Sequence, residues 1–155
     1  MTKLLTYLFF LISTVSAGQA TKTFKDTVFK IGDIIKIPEI VYVLDGNGHE
    51  NDDSLKIIAD FVNAHKNIVF EISSHTDTRG RATANHTLSV ARSESVKDAL
   101  TTKFNVKTTQ IKAMGYGCSR PLVPDSTIKA AKNIQYKEEL HQKNRRTELK
   151  VLQIN

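Results

Sequence analysis

The stretch IVFEISSHTDTRGRATANHTLSVARSESVKDAL, Ile68 to Leu100, decides the fold. Its first part alternates Ile68, Phe70 and Ile72 with Val69, Glu71 and Ser73, the two-residue period of a strand. Its last part changes period: Leu88, Ala91, Ser95, Val96, Ala99 and Leu100 fall on one side of a helix. A strand that passes through a short polar loop into a helix is half of an α/β unit, because parallel strands need a long crossover. Upstream, Ile40-Val41-Tyr42-Val43-Leu44 is a continuous β-prone run, and Asp45-Gly46-Asn47-Gly48 ends it as a turn. Asp53 or Ser54 is placed to cap a helix whose apolar positions are Leu55, Ile58, Phe61 and Val62. Before Pro38, a strand-like stretch runs around Val28 to Ile37. Downstream come a short strand from Ile111 to Tyr116 closed by Gly115 and Gly117, a partly helical segment over 126–143, and a last strand in which Thr147, Leu149 and Val151 alternate with Glu148 and Lys150. The order predicts an α/β sandwich, one mixed sheet with helices packed on it. A single domain over 38–155, preceded by a lead-in over 18–37, accounts for the pattern.

Composition narrows the class. The chain has 155 residues, 40% hydrophobic and 25% charged, enough for one core and too short for a membrane barrel beside a soluble domain. With 7 Gly and 3 Pro, collagen-like and disordered readings fail. One cysteine, Cys118, excludes an internal disulfide framework and any paired-cysteine metal motif. The net charge of +6 favours anionic surroundings. No basic, aromatic-rich stripe of the single-strand-binding kind accompanies it, so nucleic acid is not the expected partner.

Residues 1–17 read as a signal peptide. Lys3 supplies the positive end, Leu4 to Ile12 the apolar run, and Val15-Ser16-Ala17 the small residues at a cleavage site. A spanning helix needs ~20 apolar residues, and Ser13 and Thr14 arrive too early for that. No cysteine lies beside the cleavage site to carry a lipid. The expectation is an exported chain that does not span the membrane after cleavage.

Chemistry concentrates in Ser74-His75-Thr76-Asp77-Thr78-Arg79-Gly80 and in Asn85 with Leu88-Ser89-Val90-Ala91-Arg92. Asp77 falls in a strand-to-helix loop, where α/β folds place ligands. With Ser89 as N-cap, Arg92 would stand in the first turn of its helix, beside free N–H groups. A carboxylate and a guanidinium facing one pocket suit a zwitterion. Asp77 has a plainer reading too, closing the turn before Gly80. Arg145 and Arg146 read as structural, one paired with an internal carboxylate and the other solvated, with ligand contact as the lesser alternative. His75 and Asp77 stand two apart on a loop without a third ligand, so neither a metal nor a cofactor is expected. The other four histidines read as surface residues.

His75-Thr76-Asp77-x-x-Gly80, Asn85-x-x-Leu88-Ser89-x-x-Arg92, Gly115-Tyr116-Gly117 with Pro121, and Asn144-Arg145-Arg146 with Glu148 together resemble the OmpA C-terminal-like domain, the peptidoglycan-binding domain of OmpA, the peptidoglycan-associated lipoprotein and MotB. The resemblance covers roughly 38–152. It implies an α/β sandwich in the periplasm of a Gram-negative bacterium that holds the diaminopimelate of the peptidoglycan stem peptide without catalysis. An outer-membrane protein is a candidate second partner. Asp77 would accept from the diaminopimelate ammonium and Arg92 would donate to its carboxylate, while Thr76, Asn85, Leu88 and Ser89 would line or shape the pocket. The chain departs from the family at Leu44 to His49, which lacks a phenylalanine, at Ser93, where an alanine is common, and at Cys118, where a charged residue is common. Two other readings stay open: a scaffold that keeps the fold without wall binding, and an enzyme acting on peptidoglycan through Asp77 and His75.

Overall fold

Strand β3, Ile68–His75, is the spine of the sheet, and all eight of its residues are buried. The structure, a computed structural model, describes residues 21–40, 42 and 52–155. Strands β1 (Thr21–Lys22), β2 (Ile34–Ile35), β4 (Ile111–Gly117) and β5 (Arg146–Ile154) join β3 in the order β1-β2-β5-β3-β4. β3 and β4 run parallel, connected by helix α2 (Ala82–Thr102), whereas β5 lies antiparallel to both β3 and β2. The sheet is therefore mixed, with helices packed on it, as the sequence predicts. Helix α1 (Asp52–Ala64) precedes β3, and α3 (Asp125–Ala130) and α4 (Ile134–Asn144) lie between β4 and β5.

One face of β3 feeds the core. Phe70 pairs with Ile111 on one side and Val151 on the other, and Ile72 with Ala113 and Leu149. Leu55, Ile58 and Val62 of α1 and Val96 and Leu100 of α2 close over this face, all fully buried. The opposite face of β3 is also covered, and Glu71 and Ser73 on it are internally paired. Ser73 Oγ donates to Glu71 Oε1 at 2.7 Å, and the Tyr116 hydroxyl donates to the same oxygen at 2.8 Å. A polar group taken out of water needs such partners.

The helix containing Arg92 begins earlier than its apolar pattern indicates. α2 starts at Ala82, so Ser89 does not cap it and Arg92 lies in its interior. Its first turns, with Ala82, Thr83, Ala84, His86 and Thr87 exposed, bury nothing and carry no amphipathic signal. Ser89 and Ser93 are instead fully buried against the sheet. Gly115 makes that approach feasible: a Cβ there would stand 2.2 Å from Val90 N. Ser89 Oγ accepts from Gly117 N at 2.8 Å and donates to His86 O at 2.8 Å, tying helix to strand.

Further differences have local causes. α1 begins at Asp52, with Asp52 and Asp53 both inside its first turn, where acids complement the helix dipole. Ser54 is drawn away from a capping role, its hydroxyl donating to Glu39 O at 3.0 Å. Around Val28 to Ile37 only Ile34–Ile35 forms a strand, because a turn intervenes: Asp33 N bonds Lys30 O at 3.0 Å and Gly32 has φ +96°. The lead-in is nonetheless built into the sheet through β1 and β2, and Phe24 and Phe29 pack on Phe61 with centroids 4.8 and 5.7 Å away. His65 is half-buried between Phe29 and Phe61, and His141 is half-buried as well, so neither is a surface residue; His86 is exposed. The signal peptide at 1–17, the turn at 45–48, His49 and all of the 40–44 run except Ile40 and Tyr42 lie outside the described residues.

Candidate functional site

The site forms where β3 ends. The register between β3 and β4 shifts between Ser74 and His75, so that His75 pairs with Gly117, and a slip of this kind re-aims the residues that follow. Thr76 N then bonds Gly117 O at 3.0 Å, and Thr76 Oγ1 donates to Asp77 O at 3.0 Å. Asp77 Oδ1 accepts from Arg79 N at 2.9 Å, closing a turn that Gly80 completes with φ +83°. From the first turn of α2, Asn85 Nδ2 donates to Asp77 O at 3.2 Å and to Arg79 O at 2.9 Å. The loop is thus held from the sheet and from the helix.

Asp77 Oδ2 carries a second set of bonds. It accepts from Arg79 Nη2 at 2.7 Å and Nε at 3.1 Å, and from Arg145 Nη1 at 2.7 Å. Glu138 of α4 closes the circuit, accepting from Arg79 Nη1 at 2.9 Å and Arg145 Nη2 at 2.6 Å. The Asp77 side chain is 8% exposed, against 53% for Arg79. Burial pushes the Asp77 carboxyl up, but the hydrogen bonds from Arg79 and Arg145 prevail and hold its pKa at about 2.

Beside this circuit lies a cavity of about 740 Å³. Arg92, Arg145 and Arg146 line it, together with His75, Tyr42 and Thr147. The Arg92 guanidinium lies 4.7 Å from the centre of the Tyr42 ring, a cation–π distance. Tyr42 is fixed in turn by a 2.8 Å hydrogen bond between its hydroxyl and that of Thr147. His75 is 3% exposed and stacks on Tyr116, with Nε2 3.5 Å from Glu148 Oε2. Burial raises the Glu148 carboxyl, but nearby His75 and the hydrogen bond from Arg146 outweigh it and leave the pKa lowered.

Arg92, Arg145 and Arg146 thus meet at one cavity. Asp77 lies behind its wall, reached through Arg145, and Thr76, Asn85, Leu88 and Ser89 are not among its lining residues. Asn85 instead fixes the Asp77 loop, and Ser89 fixes α2 on β4. Arg145 does pair with an internal carboxylate, and that carboxylate is Asp77 itself. Arg146 is not solvated: Glu148 accepts from its Nε at 2.7 Å and its side chain is 16% exposed. The sequence does not single out Arg79 and Glu138, which complete the circuit, or Lys36 and Lys143, which also line the cavity. Arg79 stands inside the motif, but nothing near Glu138 in sequence marks a partner 59 residues away. Among the described residues, no cluster of His, Cys, Asp or Glu could hold a metal ion.

The chain and its fold have known counterparts. The OmpA family model matches residues 48–135, and the chain belongs to the OmpA family. Outer membrane porin F of Pseudomonas aeruginosa is 33% identical over 73 residues, 47% of this chain and 21% of that protein. Porin F of Pseudomonas fluorescens is 37% identical over 73 residues, 47% of this chain and 22% of that protein. The match therefore spans only about a fifth of those relatives. Among solved structures, the peptidoglycan-associated lipoprotein from Burkholderia pseudomallei superposes with a TM-score of 0.59 at 23% identity, covering 75% of this chain and 90% of that one. The cell wall anchor of the T6SS from Pseudomonas aeruginosa gives 0.56 at 24%, covering 73% and 75%. The C-terminal domain of Helicobacter pylori MotB gives 0.56 at 19%, covering 74% and 83%. These structures share its fold.

Proposed function

We propose that this chain binds peptidoglycan non-covalently, holding the diaminopimelate of the stem peptide, and that it is an exported, periplasmic binding domain without catalysis. The observation that carries the reading is the cavity at the end of β3, where Arg92 and Arg145 converge beside Asp77 in a domain of the OmpA family. A diaminopimelate end group presents one carboxylate and one ammonium. Arg92 and Arg145 donate to the carboxylate, a charge-assisted contact. The ammonium takes the place of Arg79 at Asp77 Oδ2. Arg79 is half exposed and keeps Glu138 as a partner when it moves. Wall binding by a small exported domain would link the cell wall to an outer-membrane protein partner.

Sedimentation with diaminopimelate-type sacculi tests this. The purified protein is expected to pellet with the sacculi, and Arg92→Ala to stay in the supernatant with its thermal melt unchanged. Truncating one partner of such a contact costs ~2–5 kcal/mol, enough to erase a modest affinity. Equal pelleting of both proteins would move the ligand away from Arg92. One observation favours a second reading, a scaffold without wall binding: the Asp77 carboxylate is already saturated by its own chain. On that reading the protein ignores sacculi altogether.

A further inference from the structure

The cavity carries more positive charge than a diaminopimelate end group calls for. Among the described residues, Lys36, Arg92, Lys143, Arg145 and Arg146 line it with one acid, Glu39. Arg145 is matched by Asp77 and Glu138 and Arg146 by Glu148, and Arg92 lies over the Tyr42 ring. Lys36 and Lys143 are exposed and form no ion pair among the described residues. Their backbones are fixed: Lys36 N bonds Lys22 O at 2.7 Å, and Lys143 precedes the fully buried Asn144, whose amide holds Val123 N and O at 2.8 and 2.9 Å. Both lysines lie outside the matched stretch 48–135, so this charge comes from the chain's own lead-in and from the end of α4.

We infer that Lys36 and Lys143 form a second anion subsite in this cavity, which takes a further free carboxylate of the stem peptide, that of the γ-linked glutamate preceding diaminopimelate. The inference rests on the wall-binding reading above and adds a selectivity to it. A diaminopimelate end group is a zwitterion and leaves the two ammonium groups unmatched, whereas the neighbouring residue offers one more carboxylate on the same short chain. A cavity of about 740 Å³ falls in the range that encloses a ligand larger than one side chain. Amidation of that glutamate removes the charge and turns an acceptor oxygen into a donor facing two ammonium groups. A site built for the acceptor rejects such an analogue. The protein therefore distinguishes free from amidated stems.

Calorimetric titration of the full chain with two synthetic tripeptides tests this: L-Ala-γ-D-Glu-meso-diaminopimelate and its counterpart with D-isoglutamine in the middle. The free-acid peptide is expected to bind at least about tenfold more tightly at low salt. In the Lys36→Gln/Lys143→Gln double variant, both peptides should bind equally, near the weaker value. Both substitutions are on exposed side chains, and an unchanged melt confirms the fold. Equal affinity of the unsubstituted protein for the two peptides overturns the second subsite and leaves the wall reading standing. Binding of neither peptide overturns both. Discrimination that persists in the double variant also overturns the assignment to these lysines.

Discussion

At the scale of single residues, Asp77 does two jobs with two oxygens. Oδ1 closes the loop through Arg79 N, and Oδ2 takes the guanidinium groups of Arg79 and Arg145. The turn-closing reading of this residue is thus realised through Oδ1, while Oδ2 is occupied by the chain's own arginines. A carboxyl at about 2 lies below its unfolded value of ~3.9, so it stabilises the folded state above both values. That stability is lost as pH falls through about 2. Asp77→Asn is accordingly expected to lose roughly 2 kcal/mol near neutral pH, with the gap to the unsubstituted protein closing below pH 4. Urea unfolding at several pH values measures it, and a gap that stays constant in acid would remove the charge from the explanation. Arg79 competes with any ligand ammonium for Oδ2. Because half-exposed ion pairs contribute only ~0–1 kcal/mol, Arg79→Ala should tighten stem-peptide binding by about twofold to fivefold. Weaker binding by that variant would make Arg79 a ligand contact instead of a competitor.

Among the elements, the closest fit is α2 on β4. Gly115 leaves no room for a side chain, since the atoms a Cβ would meet are backbone, at 2.2 Å from Val90 N and 2.6 Å from Ser89 C. Gly115→Ala is expected to cost ~3 kcal/mol or more, because backbone must shift to admit it. A chemical-denaturation midpoint unchanged by Gly115→Ala would contradict this packing. The same contact explains a failure of the sequence reading. Strand periodicity made β3 legible because Ile68, Phe70 and Ile72 face one core, and α1 was legible through Leu55, Ile58, Phe61 and Val62, all buried. The start of α2 was illegible because its first turns are exposed and its contact with the glycine-bearing strand is made by small polar residues, Ser89 and Ser93. Ser89 therefore read as a helix cap, and Arg92 was set at a helix end that lies ten residues before it.

Over the whole molecule, strand order decides which distant residues meet. β5 lies between β2 and β3, so residues just before β5 arrive beside the end of β3. His75 pairs with Arg146 across that register, and Arg145 reaches Asp77 from 68 residues away. The α/β class was readable from the alternation of periods along the chain, whereas these meetings depend on topology that no local pattern encodes. Lys36 comes to the same cavity because the lead-in joins the sheet through β1 and β2. The positive charge of the cavity is assembled from three separate parts of the chain, at Lys36, at Arg92 and over 143–146, and on the proposed function the stem peptide's carboxylates are its points of recognition. Screening should weaken that recognition as salt rises.

The most direct measurement is an NMR titration of the isotope-labelled protein with the free-acid stem tripeptide. The account predicts saturable shifts at the Arg92 and Arg145 guanidinium groups and at the amides of His75, Thr76 and Asp77, with the α1 amides unmoved. Shifts confined to other surfaces, or none at peptide concentrations that mimic the wall, would contradict it.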